Sequence, residues 1–274
     1  MNQRPISTHA KPWLFLALTL GLTWFFGFLG VALQSVVPRT VVLVLVYGGG
    51  LAPLLVALWL TYRQHSPAFR KDYWQRALDV RRIGLMWWGV ILLFHPLKSL
   101  LAALIDVLTG GWGIVPEAAA RFVEQPLLIL PTLVFWLLFG PIPEELGWRG
   151  YALDGLQARH GAAVSGLMIG MVWALWHLPL FFVEGTWQAT HLGFGTQLFW
   201  VWVFSVMIES ILYVWIYNNT GRSTLSAILF HFGGNAFGQL FALSHWAETT
   251  TLLISVVTTV IVMAHWGPKN LQRT

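Results

Sequence analysis

The sequence predicts an all-α, polytopic membrane protein with about eight transmembrane helices. Hydrophobic residues make up 57% of the 274 positions and charged residues only 10%, whereas a soluble domain averages about 25% charged residues. A membrane span needs about 20 mostly apolar residues, and runs of this length recur along the chain. We interpret eight of them as spans: 12–34, 41–62, 83–108, 127–149 (extending to about 158), 162–183, 195–217, 223–243 and 249–267.

The first apolar run follows Arg4 and Lys11, as a signal peptide would. It is too long for a typical signal-peptide core and has no clear small-residue cleavage site, so we expect a retained span. The chain contains no Cys, which excludes disulfides, thiolate metal sites and a Cys nucleophile.

The basic residues predict the orientation in the membrane. With both termini cytoplasmic, thirteen Lys and Arg fall on the inside, only Arg39 and Arg121 fall outside, and Lys98 lies within a span. Such an excess of inside charge is typical of cytoplasmic loops. We therefore expect a multi-pass protein of the cell membrane whose partner is the lipid bilayer. The net charge of +5 follows from this topology and does not predict nucleic-acid binding.

The long inner loop, residues 63–82, has a helical pattern of its own. Ser66 and Pro67 provide an N-cap and a proline at the first helical position. Four apolar or aromatic residues then share one face, opposite basic and polar residues: Phe69, Tyr73, Trp74 and Leu78. This predicts an amphipathic helix at the membrane surface; the alternative is a solvated basic loop.

Two adjacent glutamates are the most informative polar residues in the apolar part of the chain. Placing a carboxylate inside the bilayer costs free energy, and such residues are retained mainly for function. Glu145 precedes Arg149 by four residues, the favourable spacing for a helical ion pair. Glu144 is left without a partner on its own helix and is available as a general base. The alternative is a structural Glu–Arg pair at the end of a helix.

Two further spans carry polar residues at helical spacing. Trp173 precedes His177 by one turn, and small residues on the same helix, among them Gly166 and Gly170, allow close helix packing. His231 and Asn235 share a face of the seventh span, and their side chains can donate hydrogen bonds to an oxyanion. For each pair alone, hydrogen bonding between helices is the alternative.

Glu144, His177 and Asn235 lie at similar depths in the membrane only if the fourth helix is long. When it continues to about residue 158, Glu144 lies roughly 20 Å from its cytoplasmic end. His177 and Asn235 lie at comparable depths on their own spans. A helix that stops near 149 would separate them, so a long or broken fourth helix is expected.

At these residues the chain resembles the CAAX-protease and bacteriocin-processing family of intramembrane endopeptidases, CPBP. The family pattern is Glu-Glu-x-x-x-Arg, an aromatic residue and a His separated by three residues, and His-x-x-x-Asn. The resemblance covers roughly residues 127–240. It implies eight helices surrounding an intramembrane catalytic cavity that faces the cytosolic side. In that cavity Glu144 activates water, His177 helps to hold that water, and His231 with Asn235 stabilises the oxyanion. The chain is then divided into residues 1–126, a catalytic core at 127–243, and a last span and tail at 244–274.

Metal dependence is left open at this point. Glu144, His177 and His231 are the residues that could bind zinc and leave a fourth position to water. No H-E-x-x-H motif is present, and a zinc hydrolase usually needs a separate base. We therefore expect catalysis without a cofactor, with zinc as the alternative.

Two other classes of function compete with a protease. A transporter or channel could use the polar residues in or near other spans, which are His95, Lys98, Asp106 and Glu209. Glu209 is also a candidate second partner for Arg149, because both lie at a similar depth. The other class is a non-catalytic scaffold or immunity protein. For a protease, the substrate is a peptide or protein: a prenylated tail, a leader peptide or a membrane-protein segment.

Overall fold

The computed structural model describes residues 10–272 and consists almost entirely of helices. Arg4 and Arg273, which the count of basic residues includes, lie outside the described residues. Thirteen α-helices follow one another in this part of the chain: α1 Pro12–Leu33, α2 Arg39–Gly50, α3 Ala52–Gln64, α4 Pro67–Leu78, α5 Leu85–Leu108, α6 Glu117–Glu124, α7 Ile129–Leu138, α8 Pro141–Gly147, α9 Leu153–His160, α10 Ala162–Trp176, α11 Gln197–Asn219, α12 Thr224–Leu240 and α13 His245–Trp266.

The predicted all-α membrane fold is confirmed, but with fewer membrane-length helices than expected. Within residues 10–272, six helices are long and apolar enough to cross a membrane. The pair α2 and α3, bent by 41°, makes a seventh. The predicted span 223–243 corresponds to α12, which has only 17 residues. It is shorter than predicted because the chain leaves the helix after Leu240 and enters a strand.

The fourth span is long and broken, as the depth argument required. It extends from Pro126 to His160. The regular helix stops at Leu138 and restarts at Pro141, and a π-helical segment, Trp148–Ala152, joins α8 to α9. Every residue from 141 to 156 except Ile142 is buried. The second half of this span is therefore the centre of the helix bundle.

Helices α10 and α11 pack unusually closely, which the small residues of α10 had indicated. A Cβ atom at Gly170 would lie 2.7 Å from the Cα of Met207, and one at Gly166 would lie 2.9 Å from the Cα of Ile211. Only glycine fits at such a separation of two backbones. This packing holds the end of α10, where His177 is located, against the rest of the bundle.

Helix α4 forms where the sequence predicted a helix in the 63–82 loop. The Ser66 hydroxyl accepts a hydrogen bond from the amide of Phe69 at 3.3 Å, and Pro67 is the first helical residue. The four residues expected to share an apolar face separate, however. Tyr73 is completely buried against the bundle, whereas Leu78 is 69% exposed. The helix is therefore docked on the protein, and the predicted apolar face is not kept as one face.

A short two-stranded sheet joins two loops. Strand β1, Ile114–Val115, pairs antiparallel with β2, Ala242–Leu243, in the register Ile114 to Leu243 and Val115 to Ala242. The amide of Ser244 also donates to the carbonyl of Gly113 at 3.2 Å. These contacts connect the end of α5 to the end of α12.

Candidate active site

The Glu145–Arg149 ion pair expected from the sequence lies at the centre of the bundle. Arg149 Nη1 is 2.9 Å from Oε1 and 3.1 Å from Oε2 of Glu145, and both side chains are fully inaccessible to solvent. The second guanidinium nitrogen, Nη2, donates to the hydroxyl of Ser210 at 2.8 Å. Glu145 also bonds to Nδ1 of His231 at 3.0 Å. The pair thus connects the fourth span to α11 and α12.

Glu209 is not the second partner of Arg149. Its carboxylate instead pairs with the ammonium of Lys98 on α5 and accepts a hydrogen bond from the hydroxyl of Ser255 on α13, at 2.7 Å. Residue counting placed Glu209 at the depth of Arg149 but could not give its direction around the helix. The neighbouring Ser210 faces Arg149, whereas Glu209 faces α5 and α13.

Glu144 is held by the indole of Trp173. The carboxylate is 5% exposed, and its Oε2 accepts a hydrogen bond from Nε1 of Trp173 at 2.5 Å. The sequence placed Trp173 one helical turn before His177 and said nothing of Glu144 as its partner. Its role as a donor to Glu144 was missed, because sequence spacing does not show which way an indole N–H points across two helices.

His177 follows the last residue of α10 and also depends on Trp173. Its Nδ1 lies 2.9 Å from the carbonyl oxygen of Trp173, and since a carbonyl only accepts, Nδ1 carries the proton. The ring meets Trp176 and Trp202 edge-on, at centroid distances of 4.5 and 5.0 Å. These contacts fix the ring and leave Nε2 as an acceptor.

His231 packs beside the same indole. Its ring centroid is 5.1 Å from that of Trp173 and 5.9 Å from that of Tyr213. The guanidinium of Arg149 lies over both aromatic rings, 5.0 Å from the centroid of Trp173 and 4.3 Å from that of Tyr213. Trp173 therefore contacts Glu144, His177, His231 and Arg149. Tyr213 was missed, since one tyrosine in an apolar span gives no distinct signal.

Asn235 lies at the break in the fourth span. A Cβ atom on Gly140 would be 3.3 Å from Nδ2 of Asn235 and 3.9 Å from Oε1 of Glu144. The side-chain amide of Asn235 and the Oε1 atom of Glu144 therefore face the same space beside Gly140. Gly140 was also missed; its position directly before the Pro141-Ile142-Pro143 run is the signal that could have revealed it.

The zinc alternative can be compared with this geometry. Among residues 10–272, no three His, Asp or Glu side chains lie close enough together to hold one metal ion. As arranged, the donor set does not fit a three-ligand zinc site.

Two comparisons with known proteins concern the same region. A family model described as "Type II CAAX prenyl endopeptidase Rce1-like" matches residues 126–237, which include all the residues discussed above except Lys98 and Ser255. The chain is also similar to "CAAX prenyl protease 2" of Methanococcus maripaludis, with 28% identity over 239 residues that cover 85% of this chain and 86% of that protein. These matches confirm the resemblance seen in the three motifs. The chain is thus similar to CAAX-type intramembrane endopeptidases, both in its three motifs and over most of its length.

Proposed function

We propose that this protein hydrolyses a peptide bond in the C-terminal tail of CAAX-type prenylated proteins, with Glu144 as general base. The observation that carries the proposal is the convergence of Glu144, His177 and His231 on Trp173, with Asn235 facing Glu144 at Gly140. The substrate class follows from similarity to a protein named "CAAX prenyl protease 2". A lipidated tail suits a site inside a helix bundle of the membrane.

The two glutamates have different tasks because their oxygens have different partners. Both oxygens of Glu145 bond to Arg149, and one also bonds to His231. Glu144 uses Oε2 for the indole of Trp173, and its Oε1 faces the space beside Gly140. Oε1 of Glu144 is thus the carboxylate oxygen available to take a proton from water.

The reaction then proceeds in two proton transfers. Water, oriented by Glu144 and by Nε2 of His177, attacks the carbonyl carbon of the substrate as its proton passes to Glu144. The carbonyl oxygen becomes an oxyanion, which accepts hydrogen bonds from Nδ2 of Asn235 and from the protonated form of His231. Glu144 returns the proton to the leaving nitrogen as the C–N bond breaks, giving a carboxylic acid and an amine; the acid then loses its proton to water.

Substitutions at Glu144 and Asn235 test this division of tasks. Glu144→Gln removes the base and should lower kcat by about 10²–10⁴-fold while the protein stays folded. Asn235→Ala should lower kcat by about 10²–10³-fold with little effect on substrate binding. Glu184→Gln, a change of the same kind at an exposed position, is the matched control and should keep full activity.

The assay uses purified protein in lipid nanodiscs and a farnesylated C-terminal peptide, with the same peptide lacking the lipid for comparison. We expect cleavage of the lipidated peptide, much less cleavage of the unlipidated one, and a loss of about 10²–10⁴-fold in Glu144→Gln. No cleavage of either peptide by the folded wild-type protein would contradict the proposed activity and favour the transporter or scaffold functions. Equal cleavage of both peptides would contradict the prenylated substrate.

Metal dependence is decided separately. Activity of the wild-type protein after dialysis against a chelator, with metal content measured on the same sample, should be unchanged. Loss of activity that stoichiometric zinc restores would contradict the glutamate mechanism and make Glu144, His177 and His231 the residues to test as ligands.

A further inference from the structure

Helix α4 contacts the fourth span on both sides of its π-helical segment, Trp148–Ala152. On one side, the hydroxyl of Tyr73 donates to the carbonyl of Leu146 at 3.0 Å. On the other side, Nη1 of Arg76 lies 3.5 Å from the carboxylate of Asp154. A short helix outside the membrane spans is therefore attached to α8 and to α9 at once.

The contact made by Tyr73 is buried and specific. The side chain is completely inaccessible to solvent, and a Cβ atom at Gly150 would lie 3.2 Å from its Cε2. Burial raises the pKa of the Tyr73 phenol above its usual range. The hydroxyl therefore keeps its proton and remains a hydrogen-bond donor at physiological pH.

Arg76 is equally well anchored, although it is a charged residue on a helix that the sequence presented as amphipathic. It is 1% exposed, its Nε bonds to Asp72 at 2.9 Å, and its Nη1 donates to the hydroxyl of Tyr217 at 2.7 Å. Tyr217 in turn donates to Asp154 at 3.0 Å. The C-terminal end of α4 is thus fixed to α9 and α11 by hydrogen bonds and an ion pair.

A π-helical segment needs such support more than a regular helix does. Its hydrogen bonds join residues five apart, as between the amide of Leu153 and the carbonyl of Trp148, so the α-helical ladder is interrupted. Leu146 is the residue after Glu145 and lies just before the π-helical segment. A donor at this point fixes the end of α8, the helix that carries both glutamates.

We infer that Tyr73 is a positioning residue: its hydrogen bond to Leu146 and its packing on Gly150 hold the π-helical segment so that Glu144 and Glu145 meet Trp173 and His231. This rests on the proposed role of Glu144 as the general base. Tyr73 itself touches neither substrate nor the reacting atoms, so its effect passes through the backbone of α8.

The test is Tyr73→Phe, which removes only the hydroxyl. The matched control is Tyr62→Phe; the Tyr62 hydroxyl accepts a hydrogen bond from Nε1 of Trp74 at 3.0 Å, but this residue is 49% exposed. We expect Tyr73→Phe to lower kcat about tenfold, since one buried hydrogen bond is lost, with KM unchanged. Tyr62→Phe should behave as the wild type.

Hydrogen–deuterium exchange of the same proteins gives a measurement that does not depend on activity. Amides of residues 146–153 should exchange faster in Tyr73→Phe and not in Tyr62→Phe. Gly150→Ala should have the same effect by pushing against the Tyr73 ring, whereas Gly84→Ala, where a Cβ atom meets nothing within 4 Å, should not.

The outcomes separate this inference from the proposed function. Unchanged amide exchange in Tyr73→Phe would overturn the inference. Faster exchange with unchanged kcat would also overturn it, and so would a raised KM with unchanged kcat. If the wild-type protein cleaves no peptide, the proposed function fails, and the exchange measurement alone decides whether α4 supports the π-helical segment.

Discussion

Replacing Arg149 by alanine removes the cation of an ion pair in which both side chains are completely buried. Three hydrogen bonds of the guanidinium are lost with it: two to Glu145, at 2.9 and 3.1 Å, and one to Ser210, at 2.8 Å. The carboxylate of Glu145 would remain in the bundle with His231 as its other hydrogen-bonding partner. Truncating one member of a buried pair destabilises a protein by about 3–5 kcal/mol, because the other charge is left unpaired.

The surface of the same protein offers a matched control. Arg81 pairs with Asp79 at the same distance, 2.9 Å, but the Arg81 side chain is 88% exposed. Exposed pairs contribute little because water screens them and the side chains lose freedom. Arg81→Ala should therefore leave the melting temperature of the detergent-solubilised protein almost unchanged, while Arg149→Ala lowers it strongly.

Thermal unfolding followed by tryptophan fluorescence, with activity measured on the same samples, distinguishes the two cases. The double variant Glu145→Leu with Arg149→Met should lose less stability than the sum of the two single variants, because no charge is left unpaired. If Arg149→Ala melts at the same temperature as Arg81→Ala, the buried pair does not stabilise the fold and our reasoning is wrong.

Three other predictions follow from the polar contacts and the topology. Lys98→Met and Glu209→Gln should each lower the melting temperature, and the double variant should lose less than their sum; additive losses would contradict a direct pair. Trp173→Phe keeps an aromatic ring but loses the donor to Glu144, so kcat should fall about tenfold or more; full activity would contradict that role. Reporter fusions should read inside at residue 72 and outside at residue 118, and the opposite result would invert the orientation.

Much of the fold could be predicted because hydrophobic runs and helical spacing are local properties. The long fourth span, the capped helix after Ser66 and the ion pair of Glu145 with Arg149 all follow from residues close in sequence. Close packing at Gly170 was also indicated, since small residues at regular spacing on a membrane helix let a neighbouring backbone approach.

What could not be predicted depends on rotation of one helix relative to another. Glu209 and Ser210 are neighbours in sequence, yet one faces Lys98 and the other faces Arg149. The donor for Glu144 and the partner of His231 likewise depend on side-chain directions across two or three helices. Counting residues gives a depth in the membrane but no angle around the helix axis.

The small sheet between β1 and β2 has a consequence for how two helices of the bundle could move relative to each other. Backbone hydrogen bonds between these strands join the loop after α5 to the loop after α12. Helix α12 carries His231 and Asn235 and packs against α5. The two helices are therefore least free to separate at the end that the sheet joins. Any movement of α12 relative to α5 would thus be smallest beside the sheet, so the sheet limits how far the helix that carries His231 and Asn235 can shift.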